Sequence, residues 1–275
     1  MADLLSLTMQ QESLDLSSVF RLNLRGDDVF EATTPAYEWG AVYGGLFLGQ
    51  ALWAATQTVG EDFSPHSLHA YFVRGGLLSE PIRYEVHRLR DGKSFVTRRI
   101  VATQSVGEVV TVIASFTTEK SPARRDHVKF PKDVAPVAEL EGRWDAGLER
   151  RDAVFRSDDP RVSTWVRGSF ESDSDKRIHA SSLAYVSDLN LIDATVEGHP
   201  TPPSQGQWSK DYLCLSLDHV IWFHGAMESG DEWLLMDARP LVFSNNRGVA
   251  QATIFSAKGE LLATAMQEGL FRPRG

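Results

Sequence analysis

The chain of 275 residues has room for one large domain or two of ordinary size, and its composition is that of a globular protein, with 42% hydrophobic, 24% charged and 10% aromatic residues. The net charge of -9 at pH 7 argues against broad binding to nucleic acids or anionic membranes, because both require basic surface. The single cysteine, Cys214, excludes an intrachain disulfide and a cysteine metal cluster, and it fits a reducing compartment.

The N-terminal segment and the hydropathy of the chain predict a cytoplasmic protein that does not insert into a membrane. Residues 1–14 contain Asp3 and no basic run before an apolar core, which is not the pattern of a signal peptide. The longest apolar stretch, residues 41–55, is interrupted by glycines and Gln50 and is too short to span a bilayer.

The first part of the chain is predicted to form one apolar helix among antiparallel strands. The helix at 46–58 places Leu46 and Leu52 on one side, so we expect a sheet to wrap around it. The pair Asp91-Gly92 predicts a tight turn between two strands. The predicted elements are a helical lead-in at 1–25, a strand at 27–36, the helix at 46–58, and strands at 66–73, 82–90, 94–103 and 108–117.

A charged segment separates this part from the rest of the chain. Residues 120–160 contain several prolines and are predicted to be a surface linker with one helix near 137–150. Beyond it the patterns predict a strand at 161–170, a helix at 176–196, a Gly/Pro-rich loop at 197–209, and strands at 212–223, 233–241, 248–256 and 260–271.

Two distant stretches of the sequence resemble each other. One runs from Arg90 to Phe116 and the other from Ser244 to Phe271, and each is typical of a long β-hairpin. A second match joins residues 46–59 to residues 183–196. The sequence therefore predicts an α+β fold made twice: a curved antiparallel sheet around one helix in each half, with the two sheets joined edge to edge.

Several common catalytic patterns are missing from the sequence. There is no G-x-S-x-G motif, no P-loop and no dinucleotide-binding fingerprint. His219 and His224 point to opposite faces of a predicted strand, so they cannot bind one metal ion together. We expect neither a cofactor nor a metal, and we expect His66, His69, His219 and His224 to be structural.

Three polar residues lie in apolar surroundings in the second half. Asp188 lies in the run LAYVSDLNL, where a buried carboxylate costs free energy unless it is paired or functional; an exposed or capping role is the alternative. Ser216 and Gln267 lie in predicted strands, where a lone serine is usually structural. The aligned position in the first half is Gln50 or its neighbour Ala51, so no acid is present there.

A set of short motifs extends from about residue 40 to the C-terminus. In chain order they are Tyr43-Gly44-Gly45, Gly49-Gln50-Ala51-Leu52, Ser67 to Phe72, Leu89 to Phe95, Ser187-Asp188-Leu189-Asn190, Leu217-Asp218-His219, Trp222-Phe223-His224 and Gln267-Glu268-Gly269. In these motifs the chain resembles the acyl-CoA thioesterase II family, whose members are tandem (double) hotdog proteins. The resemblance implies an N-terminal hotdog at 1–119, a linker at 120–160 and a C-terminal hotdog at 161–275 that carries the catalytic residues.

The resemblance also implies hydrolysis of acyl-CoA to a carboxylic acid and CoA by a catalytic trio, which here is Asp188, Ser216 and Gln267. Three positions depart from the family pattern: Ser216 is usually threonine, Leu46 is usually glutamine, and Gly76 is usually proline. Backbone N–H groups near a helix start could hold the thioester carbonyl oxygen. We expect a homo-oligomer, with a first half that builds the sheet and walls the cleft. Four residues are candidates for contact with anionic CoA: Arg90, Lys93, Arg98 and Arg247.

Two other functions remain open at this point. One is a hotdog lyase of the enoyl-CoA hydratase kind, which needs an aspartate and a histidine at short spacing; no such histidine follows Asp188. The other is a non-catalytic protein that binds acyl thioesters.

Overall fold

The computed structural model describes residues 16–37, 39–156, 160–168, 177–203, 211–229 and 232–274. Within these ranges the chain forms an antiparallel sheet with helices packed against it. The α-helices are α1 (Leu16–Val19), α2 (Gly44–Thr56), α3 (Ile178–Ser187) and α4 (Leu191–Glu197), and a 3₁₀ turn covers Val137–Glu139.

The described residues contain fourteen strands in this one sheet. They are β1 (Asn23–Gly26), β2 (Val29–Ala32), β3 (Ser64–Phe72), β4 (Ile82–Asp91), β5 (Phe95–Gln104), β6 (Gly107–Thr117), β7 (Arg143–Asp145), β8 (Leu148–Arg156), β9 (Arg161–Arg167), β10 (Tyr212–Ser216), β11 (Asp218–Phe223), β12 (Leu234–Ser244), β13 (Arg247–Ser256) and β14 (Leu261–Pro273). Their order across the sheet is β1-β2-β4-β5-β6-β3-β11-β14-β13-β12-β9-β8-β7, and β10 pairs with β14.

The order of the strands repeats outward from the centre of the sheet. On one side it runs β3, β6, β5, β4, β2, and on the other β11, β14, β13, β12, β9. The two sets meet where β3 pairs with β11, with Leu68 opposite Ile221. The prediction of two similar α+β halves joined edge to edge is confirmed, and the join removes the exposed strand edge that each half would otherwise have.

The helices lie close together because small residues face the contact. Helix α2 is almost entirely buried, as its run of apolar residues and glycines predicts, and it packs against α3 as well as against the first-half strands. A Cβ atom built on Gly49 would lie 3.0 Å from the Ser181 carbonyl oxygen, and one on Gly45 would lie 2.2 Å from that of Tyr185. The glycines therefore set how closely α2 approaches the second half.

The helix predicted near 137–150 is wrong, because part of the predicted linker continues the sheet. Strands β7 and β8 form a hairpin, and Ala146 and Gly147 adopt positive φ angles in its turn. Arg150 is buried on this hairpin, with its guanidinium 2.8 Å from Asp145 and 2.9 Å from the side-chain oxygen of Asn190. Charges that look like solvated surface in the sequence are paired within the fold.

The single helix predicted at 176–196 is also wrong, since α3 ends at Ser187 and α4 begins at Leu191. Asp188 is therefore the residue that follows α3 and does not lie in the middle of a helix. Serine, aspartate and asparagine side chains compete for backbone hydrogen bonds, and the Ser187 hydroxyl lies 2.9 Å from the Ala184 carbonyl oxygen. Residues 1–15 of the predicted lead-in and 204–209 of the predicted loop lie outside the described residues.

Gln50, the first-half residue aligned next to Asp188, holds structure together. It is fully buried, and its Nε2 donates to the carbonyl oxygens of Val19 and Thr33 at 2.6 and 3.2 Å. Its Oε1 accepts a hydrogen bond from the Tyr84 hydroxyl at 2.7 Å. The amide thus ties α2 to the chain before β1, to the end of β2 and to β4.

We predict that Gln50→Ala lowers the free energy of unfolding by roughly 2–4 kcal/mol, because it leaves several buried polar groups without partners. Urea unfolding measures this change. Gln57→Ala, an exposed position just after the same helix, is the matched control. Equal unfolding midpoints for the two variants would contradict a structural role for Gln50.

Candidate active site

Asp188 contacts both halves of the molecule. Its carboxylate is buried at the end of α3, and Oδ2 accepts a hydrogen bond from the backbone N–H of Gly45, in the first turn of α2, at 2.9 Å. The N-terminus of a helix carries partial positive charge, so this position stabilises an anion. The first half therefore supplies a direct contact to the carboxylate, which the sequence did not indicate.

Gly44 makes room for this contact. A Cβ atom at that position would lie 2.6 Å from Oδ2 of Asp188 and 3.2 Å from the ring of Phe72. Both distances are too short for an ordinary contact, so a side chain at residue 44 would displace the carboxylate. The Tyr43-Gly44-Gly45 motif is explained by the close approach of the α2 backbone to Asp188 and α3.

The burial of Asp188 makes it a candidate proton acceptor. Burial raises its pKa to about 7, while the Gly45 N–H and the nearby Gln267 side chain act in the opposite direction. Within the described part of the chain, Oδ1 of Asp188 is buried and has no hydrogen-bond partner. One oxygen is therefore held by the protein. The other has free lone pairs, and the pKa of the carboxyl group to which both belong lies near neutral pH.

Ser216 and Gln267 meet across two paired strands. Ser216 ends β10 opposite Gly269 of β14, and Gln267 lies two residues earlier on β14. Side chains two residues apart on a strand share a face, so the two side chains project to the same side. The Gln267 Nε2 donates a hydrogen bond to Ser216 Oγ at 2.9 Å.

His219 completes the polar cluster, although the sequence suggested only a structural role for it. The ring is buried on β11, with Nδ1 2.8 Å from Gln267 Oε1 and Nε2 2.8 Å from the Ser187 hydroxyl. Its Nδ1 lies 4.0 Å from Asp188 Oδ1. Burial lowers the pKa of His219 to about 4. The sequence signal was its place two residues beyond Leu217 in the Leu-Asp-His motif, but its partners come from other elements.

Both ring nitrogens of His219 have side-chain partners, which bears on the lyase alternative. A hydratase-like reaction needs a histidine next to the aspartate that can exchange protons with the substrate. His219 is close to Asp188, but Gln267 and Ser187 occupy its nitrogens. The geometry therefore favours hydrolysis over the lyase.

The other histidines lie outside this cluster. His66 Nε2 is 2.8 Å from the Ser115 hydroxyl, and His224 Nε2 is 3.0 Å from the Thr264 hydroxyl. The exposed ring of His69 packs edge-on against Trp222.

The candidate CoA contacts divide into two groups. Arg98 is buried, and its guanidinium bonds to Thr58 and to Asp91, so the prediction that it meets CoA is wrong. Arg90 and Lys93 lie at the β4–β5 turn, at the end of the sheet where β3 begins with Ser64. Phe72, which lies near Asp188, is at the other end of β3, so these two cations are at the far end of that strand from Asp188.

Arg247 begins β13 and lies on the exposed face of the sheet, opposite the buried face that carries Gln267. It pairs with Leu270, next to the Gly248–Gly269 pair that borders Ser216. Its exposed guanidinium bonds to Glu268 at 2.9 Å. Of the four candidate cations, Arg247 lies on the strand pair that carries Gln267, although its side chain projects from the opposite face.

The described residues contain neither a cluster of metal ligands nor a helix that could span a membrane. No group of three or more His, Cys, Asp or Glu side chains in that part of the chain could hold a metal ion. No helix there is long and apolar enough to cross a membrane.

Comparison with known proteins assigns both halves to one family. A model of the acyl-CoA thioesterase N-terminal domain matches residues 33–117, and a model of the acyl-CoA thioesterase C-terminal domain matches residues 117–271. Two similar halves of one sheet, packed on buried helices and joined to a carboxylate-centred cluster in the described residues, define a double hotdog thioester hydrolase. The chain belongs to the acyl-CoA thioesterase family, and its activity is the hydrolysis of acyl-CoA thioesters.

Relatives and solved structures match along almost the full chain. Human acyl-coenzyme A thioesterase 8 is 28% identical, over 94% of this chain and 89% of that protein. Acyl-CoA thioesterase 2 of Haemophilus influenzae is 28% identical, over 94% and 97%. The crystal structure of the acyl-CoA thioesterase II TesB2 from Mycobacterium marinum has a TM-score of 0.80 and 29% identity, over 95% of this chain and 98% of that one.

The raised pKa of Asp188 predicts that this residue destabilises the fold at alkaline pH. Its folded pKa of about 7 lies above the ordinary aspartate value of 3.8, so the folded state holds the proton more tightly. The contribution of Asp188 to the free energy of unfolding is therefore most favourable below about pH 4 and is lost as pH rises through about 7. We predict that Asp188→Asn raises the melting temperature relative to wild type at about pH 8, and less so at about pH 5.

Thermal unfolding at both pH values checks this prediction, with the exposed Asp62→Asn variant as the control. A stability difference between Asp188→Asn and wild type that does not change with pH would show that the burial of Asp188 does not perturb its ionisation.

Proposed function

We propose that this thioesterase hydrolyses its substrate through a water molecule held by Asp188, Ser216 and Gln267. The observation that carries the proposal is the state of Asp188: one carboxylate oxygen is bound by the Gly45 N–H, and the other is buried without a partner among the described residues. That oxygen lies 4.0 Å from Nδ1 of His219, the ring nitrogen that is hydrogen-bonded to Gln267. A pKa of about 7 suits a general base at neutral pH.

In the proposed reaction the proton of the attacking water passes through Asp188 to the departing CoA thiolate. Asp188 accepts a proton from the water as the water oxygen attacks the thioester carbonyl carbon. The tetrahedral intermediate then expels the sulfur, the C–S bond breaks, and the proton passes from Asp188 to the CoA thiolate. Ser216 and Gln267 orient the water and supply hydrogen bonds, so no acyl-enzyme is needed.

The N-terminus of α2 has a different role from the one expected for a helix start. The Gly45 N–H donates its hydrogen bond to Asp188, so in this proposal it does not hold the carbonyl oxygen of the substrate. It holds the base in place and favours its ionised form, because the helix start carries partial positive charge.

We also propose the finer features of the protein's setting. The anionic CoA portion contacts Arg247, whose exposed guanidinium lies on the outer face of the strand pair that carries Gln267. The protein works in the cytoplasm, which fits its single cysteine, and it assembles as a homo-oligomer. Phe72 borders the acyl group, because its ring lies against the Gly44 position next to Asp188.

We predict that Asp188→Asn lowers kcat by roughly two or more orders of magnitude, the usual scale for loss of a general base. Thiol release from a panel of acyl-CoA substrates measures this loss, and Asp62→Asn is the exposed control. In the wild type, kcat/KM should rise with pH through about 7, as Asp188 ionises, and then level off. Wild-type turnover in a folded Asp188→Asn protein would exclude Asp188 as the base.

We predict that Ser216→Ala and Gln267→Ala each lower kcat by roughly tenfold to a hundredfold, because the water loses its orientation. Combined with Asp188→Asn, they should add little, since all three residues act on one water. Ser216→Thr keeps the hydroxyl and should retain activity. Losses that multiply fully in the double variants, or an inactive Ser216→Thr protein, would contradict a shared water.

A further inference from the structure

We propose that His219 is a positioning residue that sets the orientation of the Gln267 amide, so that the amide N–H groups face Ser216 and Asp188. The inference rests on the proposed function, because it explains how Gln267 is prepared for that reaction. It assigns a role to a residue outside the predicted trio.

A continuous chain of hydrogen bonds carries the argument. It runs from the Ser187 hydroxyl to His219 Nε2, from His219 Nδ1 to Gln267 Oε1, and from Gln267 Nε2 to Ser216 Oγ, with distances of 2.8, 2.8 and 2.9 Å. All three links are side chain to side chain, and His219 is buried at their centre. The orientation of each group therefore constrains the next group.

Only two arrangements of hydrogens satisfy this chain with a neutral imidazole. In the first, His219 carries its proton on Nδ1 and donates to Gln267 Oε1, while Nε2 accepts from the Ser187 hydroxyl. In the second, the proton is on Nε2 and donates to Ser187, whose hydrogen goes to the Ala184 carbonyl 2.9 Å away. The bare Nδ1 then needs the amide reversed, with its N–H groups towards the ring.

Asp188 decides between these two arrangements. Its Oδ1 is buried, lacks a partner among the described residues, and lies on the Gln267 and His219 side of the carboxylate. The first arrangement turns amide N–H groups towards an ionised Asp188, which is attractive. The reversed amide would turn its carbonyl oxygen towards the same negative charge, which is repulsive and weakly screened in a buried site.

The favoured arrangement also prepares the serine. Ser216 Oγ accepts a hydrogen bond from Gln267, so its own hydrogen is left to donate to the attacking water. The second N–H of the amide points towards Asp188 and the same water. His219 neither accepts a proton from the substrate nor touches it; it acts through Gln267.

The tautomer of His219 tests the proposal without any substrate. Long-range proton–nitrogen correlation spectra of histidine-labelled protein distinguish the Nδ1–H form from the Nε2–H form, and His219→Asn identifies the signal by removing it. At about pH 7.5 we expect the Nδ1–H form. The Nε2–H form would mean that the amide is reversed, and it would overturn the proposal.

Two variants test the consequence for turnover. An asparagine amide nitrogen replaces Nδ1, and a glutamine amide nitrogen replaces Nε2. We expect His219→Asn to keep kcat within roughly tenfold of wild type, and His219→Gln to lose roughly a hundredfold, the upper end of the loss predicted for Gln267→Ala, with little change in KM. Equal kcat in the two variants, whether high or low, would assign His219 a merely structural role.

Ser187→Ala keeps the experiment informative if a His219 variant fails to fold. Removing the hydroxyl removes the partner of Nε2, so the Nδ1–H form and its effect on Gln267 should persist with kcat within roughly tenfold of wild type. A shift to the Nε2–H form in this variant would contradict the proposal. Failure of the proposed function would show instead as wild-type turnover in Asp188→Asn, whatever the tautomer of His219.

Discussion

The hydrogen bond from the Gly45 N–H to the Asp188 carboxylate is the interaction on which the rest of the site depends. It joins the first turn of α2, in one half, to the residue that ends α3, in the other. It fixes one oxygen of a buried acid, and the second oxygen has no hydrogen-bond partner among the described residues. It also explains the local sequence, because only a residue without a side chain fits at position 44. Helix packing, the glycine motif and the perturbed acid are consequences of one close approach.

The two halves share an architecture and differ in the use of their polar residues. The strand order repeats outward from the β3–β11 pair, and a buried helix packs against the strands of each half, α2 in the first and α4 in the second. In the first half the buried amide of Gln50 donates hydrogen bonds to the carbonyl oxygens of Val19 and Thr33 and accepts one from the Tyr84 hydroxyl. In the second half one oxygen of the Asp188 carboxylate has no hydrogen-bond partner in the part of the chain that the structure describes. The first half also contributes the Gly45 N–H of α2 to the Asp188 carboxylate, a contact beyond its expected roles of building the sheet and walling the cleft.

The sequence predicted most of the sheet, because strand alternation, turn residues and the internal repeat are visible in the residues themselves. The resemblance to the thioesterase II family singled out Asp188, Ser216 and Gln267. Prediction from the sequence failed where the structure depends on long-range pairing. The β7–β8 hairpin looked like a solvated linker, since the partners of Arg150 include Asn190, far along the chain. Arg98 looked like surface charge for the same reason. His219 was taken as structural because Ser187 and Gln267, which bind its two nitrogens, lie on different elements.

The join at β3 and β11 has a consequence for how the enzyme responds to dilution. A site assembled from two separate chains would come apart as the protein concentration fell below the dissociation constant. Here the N–H donor and the carboxylate that it binds belong to one polypeptide, and the paired strands between them hold the two halves at fixed mutual distance. Because this contact is intramolecular, it does not depend on protein concentration, and dilution leaves it intact as long as the chain stays folded.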